Sequence, residues 1–276
     1  MGVNDKKECS RQDLIEIQSE IWQSILVFCR ELTPCDWESQ TACPTWTVKD
    51  CFSHLIGIEA RLLECPSPEL EIKELRHVRN SQGLVNEIDV VSRRHKSNNE
   101  LIEEFLEVTR KRIEYLHKSK DFSVKAESPI GIGTLSDQVS VRIFDCWVHL
   151  QDMRSAVGAQ CEFSSKASEL SLSRIYSVLP FVIGKKVAPS DGTQVSFEIQ
   201  GVINTTRKDV RMVGRRAHLV SDNNEFSVNL ILSEETFFRL ACGRVDPEFA
   251  IETNLVVFAG DVILGKKVVK QMNFMI

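Results

Sequence analysis

Arg142-Ile143-Phe144-Asp145-Cys146-Trp147-Val148-His149-Leu150-Gln151-Asp152-Met153-Arg154 is the stretch around which this chain is best read. At 3.6 residues per helical turn, Asp145, His149 and Asp152 are spaced i, i+4, i+7 and fall on one face. Val141, Phe144, Val148 and Ala156 border that line on one side, and Cys146, Leu150 and Met153 on the other. A helix that is apolar on both sides of an ionisable line is a buried helix, so the line must meet a partner or a cavity. The reading predicts a long helix over roughly Leu135 to Val157, ended by Gly158, that carries the candidate site.

Three further long helices are predicted around it. Asp13 to Leu32 places Leu14, Ile17, Ile21, Ile25 and Cys29 at helical spacing, and Thr33-Pro34-Cys35-Asp36-Trp37 is expected to end that helix. Thr47 with Asp50 three residues later is a start signal for a second helix running to about Leu63, with Val48, Cys51, Phe52, Leu55, Ile58 and Leu62 on its apolar stripe. His54 sits at the edge of that stripe and Glu59 within it, and a carboxylate there needs a buried partner. Residues 69 to 99 are polar and read as an excursion with one helix around Asn86 to His95. Asn98 or Asn99 caps the third clear helix, which buries Leu101, Phe105, Val108, Ile113 and Leu116, and Gly131-Ile132-Gly133-Thr134 reads as a loop. Four long amphipathic helices with one internal polar line describe a bundle with a site in its core.

From Glu162 the pattern changes. One helix is expected over Ala167 to Ile183, stopped by Gly184, and then alternation takes over at Val195, Phe197 and Ile199 and again at Phe226, Val228, Leu230 and Leu232. Asp191-Gly192 and Ser221-Asp222-Asn223-Asn224 supply turns. A strand at Leu255 to Phe258 and helices at about Glu234 to Ala241 and Val262 to Met272 complete a second unit. The expected fold class is α+β, with a helical domain over 1–161 and a smaller α+β domain over 162–276.

With 42% hydrophobic and 26% charged residues the chain has the composition of a globular protein, and a net charge of -5 offers no footprint for nucleic acid. No apolar run reaches the length of a membrane span, and the start of the chain has no secretory pattern, so a cytoplasmic location and no membrane partner are expected. Nine cysteines without a Cys-x-x-Cys pair read as reduced thiols.

Asp145 and His149, four apart on one helix, can both reach one ion, and His54 from the second helix would complete a set of two imidazoles and one carboxylate. Such a set leaves positions open and suits zinc or non-haem Fe(II). The plain alternative is an intrahelical Asp145–His149 ion pair worth a few tenths of a kcal/mol when exposed, so roughly 0.2–0.5. Asp152 could be a fourth ligand, an acceptor for an imidazole N–H, or a partner of Arg142 or Arg154. Asp152 and Arg154 are the candidate catalytic side chains; Arg142, Arg154 and Arg244 are the candidates for holding a substrate carboxylate.

Pro44-Thr45-Trp46-Thr47-Val48-Lys49-Asp50 leading to His54-Leu55, together with Arg142-x-x-Asp145-x-Trp147-x-His149-x-x-Asp152-x-Arg154, resembles the mycothiol-dependent maleylpyruvate isomerase family of the DinB/YfiT-like metalloenzymes. Phe238-Arg239-Leu240-Ala241-Cys242-Gly243-Arg244 and Gly260-Asp261 resemble the sterol-carrier-like C-terminal domain of many members. The resemblance implies a DinB-like four-helix bundle followed by a sterol-carrier-like α+β domain. It maps the family's metal ligands onto His54, Asp145 and His149, with Asp145 standing where the family has Glu. It also implies a divalent metal, zinc first, that binds a low-molecular-weight thiol such as mycothiol. The thiolate so formed would add to an activated double bond and permit cis–trans rotation, or displace a leaving group as an S-transferase does. The implied partners are that thiol and a small electrophilic substrate, in a monomer or a homodimer. Two other readings stay beside this one: a noncatalytic small-molecule or lipid-binding protein, and a metal-dependent hydrolase acting through bound water.

Overall fold

In the computed structural model, residues 9–66, 70, 75, 78, 80–128, 131–221 and 225–275 are described. The chain is α+β and divides into two compact units, Met1–Leu170 and Ser171–Ile276.

The first unit is helical. α1 (Arg11–Glu31) begins where Ser10 and Asp13 cap each other reciprocally, and its buried face is Leu14, Ile17, Ile21, Trp22 and Ile25. The segment expected only to end α1 is itself a short helix, α2 (Pro34–Trp37). Thr33 and Asp36 form a second capping box, and Pro34 occupies the first turn, where its missing N–H is no loss. α3 (Val48–Leu62) starts at the Thr47–Asp50 box that the sequence signals. α4 (Ser81–Val91) lies a few residues earlier than expected because Asn80 caps it. α5 (Asn98–Lys118) is capped by Ser97, not by Asn98 or Asn99, since Ser97 pairs with Glu100 three residues on.

Gly131-Ile132-Gly133-Thr134 is not a loop. It is strand β2 (Gly131–Thr134), antiparallel to β1 (Lys125–Ser128), and Thr134 then caps α6 (Leu135–Ala156) with Asp137. α6 is buried around most of its circumference, and α1, α3 and the β1–β2 pair lie against it.

α7 (Lys166–Phe181) straddles the division between the units. The expected stop at Gly184 does not occur: the helix widens into a π-type turn over Val182–Val187 and ends at Ala188 in the left-handed conformation, φ 45°. Gly184 serves a close approach instead, because a Cβ there would meet that of Ala217 at 3.1 Å. The second unit is a five-stranded sheet in the order β5-β4-β3-β6-β7. Its strands are β3 (Gln194–Gln200), β4 (Thr205–Val213), β5 (Arg216–Val220), β6 (Val228–Ser233) and β7 (Val256–Gly260). β3 and β6 run parallel, aligning Val195, Phe197 and Ile199 with Val228, Leu230 and Leu232, and all six side chains are buried. The other pairings are antiparallel. Helices α8 (Glu234–Ala241), α9 (Pro247–Glu252) and α10 (Val262–Val269) complete the unit. Of the expected turn at 221–224, positions 222–224 lie outside the described residues. Among those described, no helix is long and apolar enough to cross a membrane.

Candidate metal centre

α3 and α6 bring together the three residues singled out as ligands. His54 Nε2 lies 3.5 Å from Asp145 Oδ2, and His149 Nε2 lies 3.7 Å from Asp145 Oδ1. The imidazole rings meet edge to face with centroids 4.8 Å apart. Donor atoms of all three fall within 4.8 Å of one another. Two donors on a tetrahedral Zn²⁺ at 2.0–2.2 Å are separated by about 3.3–3.6 Å, so the spacing suits an ion held by all three.

Two further observations bear on whether these residues fit a metal. The Nδ1 of His149 faces Asp152 Oδ2 at 3.0 Å, the arrangement in which a ligating histidine gives its other N–H to a carboxylate and turns Nε2 inward. His54 is 2% exposed and its Nδ1 has no hydrogen-bond partner. Burial brings its pKa down to about 4 despite Asp145, which keeps the ring neutral as a ligand must be. His149 behaves in the opposite way. Burial opposes its charge, but Asp152, Cys43 and Asp145 outweigh burial and raise its pKa to about 10. A proton and a cation therefore compete for the same ring. Asp145 tends upward through burial, yet Arg142, His54 and His149 hold it well below the usual carboxylate range.

Behind the three donors stands a buried charge network. Arg142 donates from Nη1 to Asp145 Oδ2 at 2.5 Å and from Nε to Glu59 Oε1 at 2.8 Å. Arg112 Nε lies 3.4 Å from the other oxygen of Glu59, and its Nη2 donates to Gln138 Oε1 at 2.5 Å. Glu59, the carboxylate that needed a partner, has two, and Arg142 leaves Asp145 Oδ1 turned to His149. Trp46 covers the rings, its centroid 5.0 Å from His54 and 6.1 Å from His149, and its indole N–H donates to Glu87 at 2.8 Å.

The structure does not bring Arg154 to this site. Five residues past His149 is about 140° further round a helix. Arg154 donates to the Gln160 carbonyl at 3.2 Å, stacks over Phe28, and lines a groove with Gln23, Glu31 and Asp36. Of the other arginines considered, Arg142 is committed to Glu59 and Asp145, and Arg244 Nη1 donates to the Cys242 carbonyl at 2.7 Å. Sequence reasoning missed Cys43, whose thiol donates to Asp152 Oδ2 at 3.3 Å, and the indole of Trp46. Both lie in the loop before α3, where no periodicity relates a side chain to a distant helix.

Residues 19–154 match the family described as the mycothiol maleylpyruvate isomerase N-terminal domain. Among solved structures, one of the mycothiol-dependent maleylpyruvate isomerase has a TM-score of 0.55 at 11% identity, covering 91% of this chain and 93% of that one. A histidine-to-alanine mutant of such an isomerase scores 0.53 at 11% identity, covering 86% and 90%. At that identity the likeness is one of fold. The UbiJ-SCP2 ubiquinone synthesis protein has a TM-score of 0.29 at 10% identity, covering 37% of this chain and 96% of that one. No curated protein matches the chain by sequence.

Proposed function

We propose, from the membership of residues 19–154 in the mycothiol maleylpyruvate isomerase N-terminal domain family, that this chain is a metal-dependent enzyme that uses a low-molecular-weight thiol. The reaction class is isomerisation of, or S-transfer to, a small electrophile. The observation that carries the reading is the convergence of His54, Asp145 and His149 from two helices, with Asp152 orienting the third. These three would hold a divalent ion such as zinc, which would supply acidity enough to ionise a thiol at neutral pH.

The chain's own residues prepare that chemistry. His54 offers a neutral nitrogen, His149 offers one when a cation displaces its proton, and Asp145 offers the one negative donor. Arg142 neutralises part of Asp145 and holds its carboxylate in place, while Glu59 prevents Arg142 from moving. Asp152 keeps the His149 proton on Nδ1. Trp46 shields one face of the imidazoles from water, which strengthens every charge interaction beneath it. Asp145 is shorter than the family's Glu and would still offer the ion a carboxylate oxygen from α6. Nine cysteines without a Cys-x-x-Cys pair suit a reducing cytoplasm, and the small-molecule and thiol partners follow from the reaction class.

One observation favours a metal-free binding protein: Arg142 already provides Asp145 with a cation at 2.5 Å. Elemental analysis of untagged wild type, His54→Ala and His149→Ala separates the two. Near-stoichiometric metal that is lost in both variants supports the enzyme. Wild type that is metal-free and takes up no added Zn²⁺ removes it. Turnover of an electrophile without added thiol would select a hydrolase on the same donors.

A further inference from the structure

The other edge of His149 faces donors that the proposed reaction does not use. Cys43 Sγ lies 3.9 Å from His149 Nδ1, and Cys51, in the first turn of α3, has its sulfur 3.6 Å from Thr41 Oγ1. Donor atoms of Cys43, Cys51 and His149 lie within 4.8 Å of one another, and all three residues are buried. Among the described residues no other cysteine enters a set of this kind. Asp152 lies 3.3 Å from the Cys43 sulfur and adds a negative charge beside the pair.

We propose that Cys43, Cys51 and His149 form a second cation position, selective for thiophilic ions of the Zn²⁺ and Cd²⁺ class, that shares His149 with the first. Two sulfurs and an imidazole make a softer set than two imidazoles and a carboxylate, so the positions differ in the ions they prefer. Sulfurs bound at about 2.3 Å to a tetrahedral ion are about 3.8 Å apart, which small side-chain rotations reach from the present geometry. Full burial closes the position to substrate; it sequesters a cation and does no chemistry on it.

Binding balances as one divalent cation in and protons out to solvent from whichever of Cys43 Sγ, Cys51 Sγ and His149 Nδ1 carry them, giving two metal–thiolate bonds and one metal–imidazole bond. The bound ring gives up its Nδ1 proton to the cation's place and carries its one remaining proton on Nε2. Nε2 then has no lone pair for the first position. Occupation of the sulfur position therefore excludes the His54–Asp145–His149 position. That exclusion rests on the proposed function, whereas the sulfur position itself does not.

The test is a Cd²⁺ titration of reduced, metal-stripped full-length protein, in a Cys35→Ser/Cys65→Ser background that removes the two exposed thiols. The readouts are sulfur-to-cadmium absorption in the ultraviolet and proton release. The expected result is a saturable band accompanied by proton release that saturates at the same cation ratio. The band is retained in His54→Ala, which lacks only the first position, and abolished in Cys43→Ser and Cys51→Ser. Cys51 is fully enclosed, so circular dichroism must show that its variant is folded; Cys43→Ser, in the loop, decides the matter if it is not. No band in folded, reduced protein overturns the proposal, as does a band that survives Cys43→Ser or disappears in His54→Ala. A band in a protein whose first position takes up no Zn²⁺ would sink the proposed function and leave the sulfur position standing.

Discussion

Two regions of the molecule bury their side chains on opposite terms. Where β3 and β6 run side by side, Val195, Phe197, Ile199, Val228, Leu230 and Leu232 remove apolar surface from water and nothing else. Along α3, α5 and α6, the helical unit buries Glu59, Arg112, Arg142, His54, His149 and Asp152, each 7% exposed or less. Such groups cost several kcal/mol each to desolvate, and the attraction between them returns that only when the geometry is good. An apolar seam of equal volume would be at least as stable. The sheet shows what a core needs for folding alone, and the seam shows what has been added to hold chemistry.

The largest effect should come from breaking the seam. Glu59→Gln keeps the shape but leaves Arg112 and Arg142 without their shared anion, and unfolding in urea should show a loss of about 3–5 kcal/mol. A loss below about 1 kcal/mol would mean that the arginines find other partners. Truncation in the sheet is the counterpart: Leu230→Ala should cost about 2–5 kcal/mol in the same assay while metal content stays at the wild-type level. Equal damage to metal content by both substitutions would erase the distinction between the regions.

Smaller and more specific is Asp152→Asn. The carboxylate that orients His149 is lost with little change of volume, and Zn²⁺ affinity by competition with a chelator should fall about 10–100-fold. Unchanged affinity would show that Asp152 does not set the ring. The smallest effect belongs to Glu104, at the margin of the helical unit. Burial pushes its pKa up, but Lys96 and Arg93 outweigh burial and lower it. A depressed folded pKa gives stability that is present above the unfolded value of about 4.3 and is lost as pH falls through the folded value. Glu104→Gln should therefore narrow the gap from wild type as pH falls below about 4.3, measured by thermal unfolding across the acid range. A gap that stays constant would remove Glu104 from the acid response.

How much of this was legible varies with how local the cause is. Caps are local: the Thr47–Asp50 box marks the start of α3 in sequence and in structure, and the i, i+4 placement of Asp145 and His149 needs only helical geometry. β4 and β5 were unreadable because Thr205 to Val213 and Arg216 to Val220 carry charges where alternation would be sought; their register comes from pairing with β3 and with each other. Gly184 read as a stop because its purpose, room for Ala217, depends on a strand that follows it by some thirty residues. Glu59 advertised a need for partners, but which arginines would answer it depends on the packing of α3 against α5 and α6. Arg154 lies away from His54, Asp145 and His149 through simple helical phase, a separation the sequence itself contains.

Of the four tryptophans, Trp22, Trp37 and Trp147 are enclosed, while Trp46 stands over two imidazoles with its N–H tied to Glu87. An indole next to a histidine has its emission quenched according to whether that ring is protonated, neutral or bound. The arrival of a cation at the candidate centre would therefore be written into the protein's own fluorescence, and occupancy could be followed in real time with no label added.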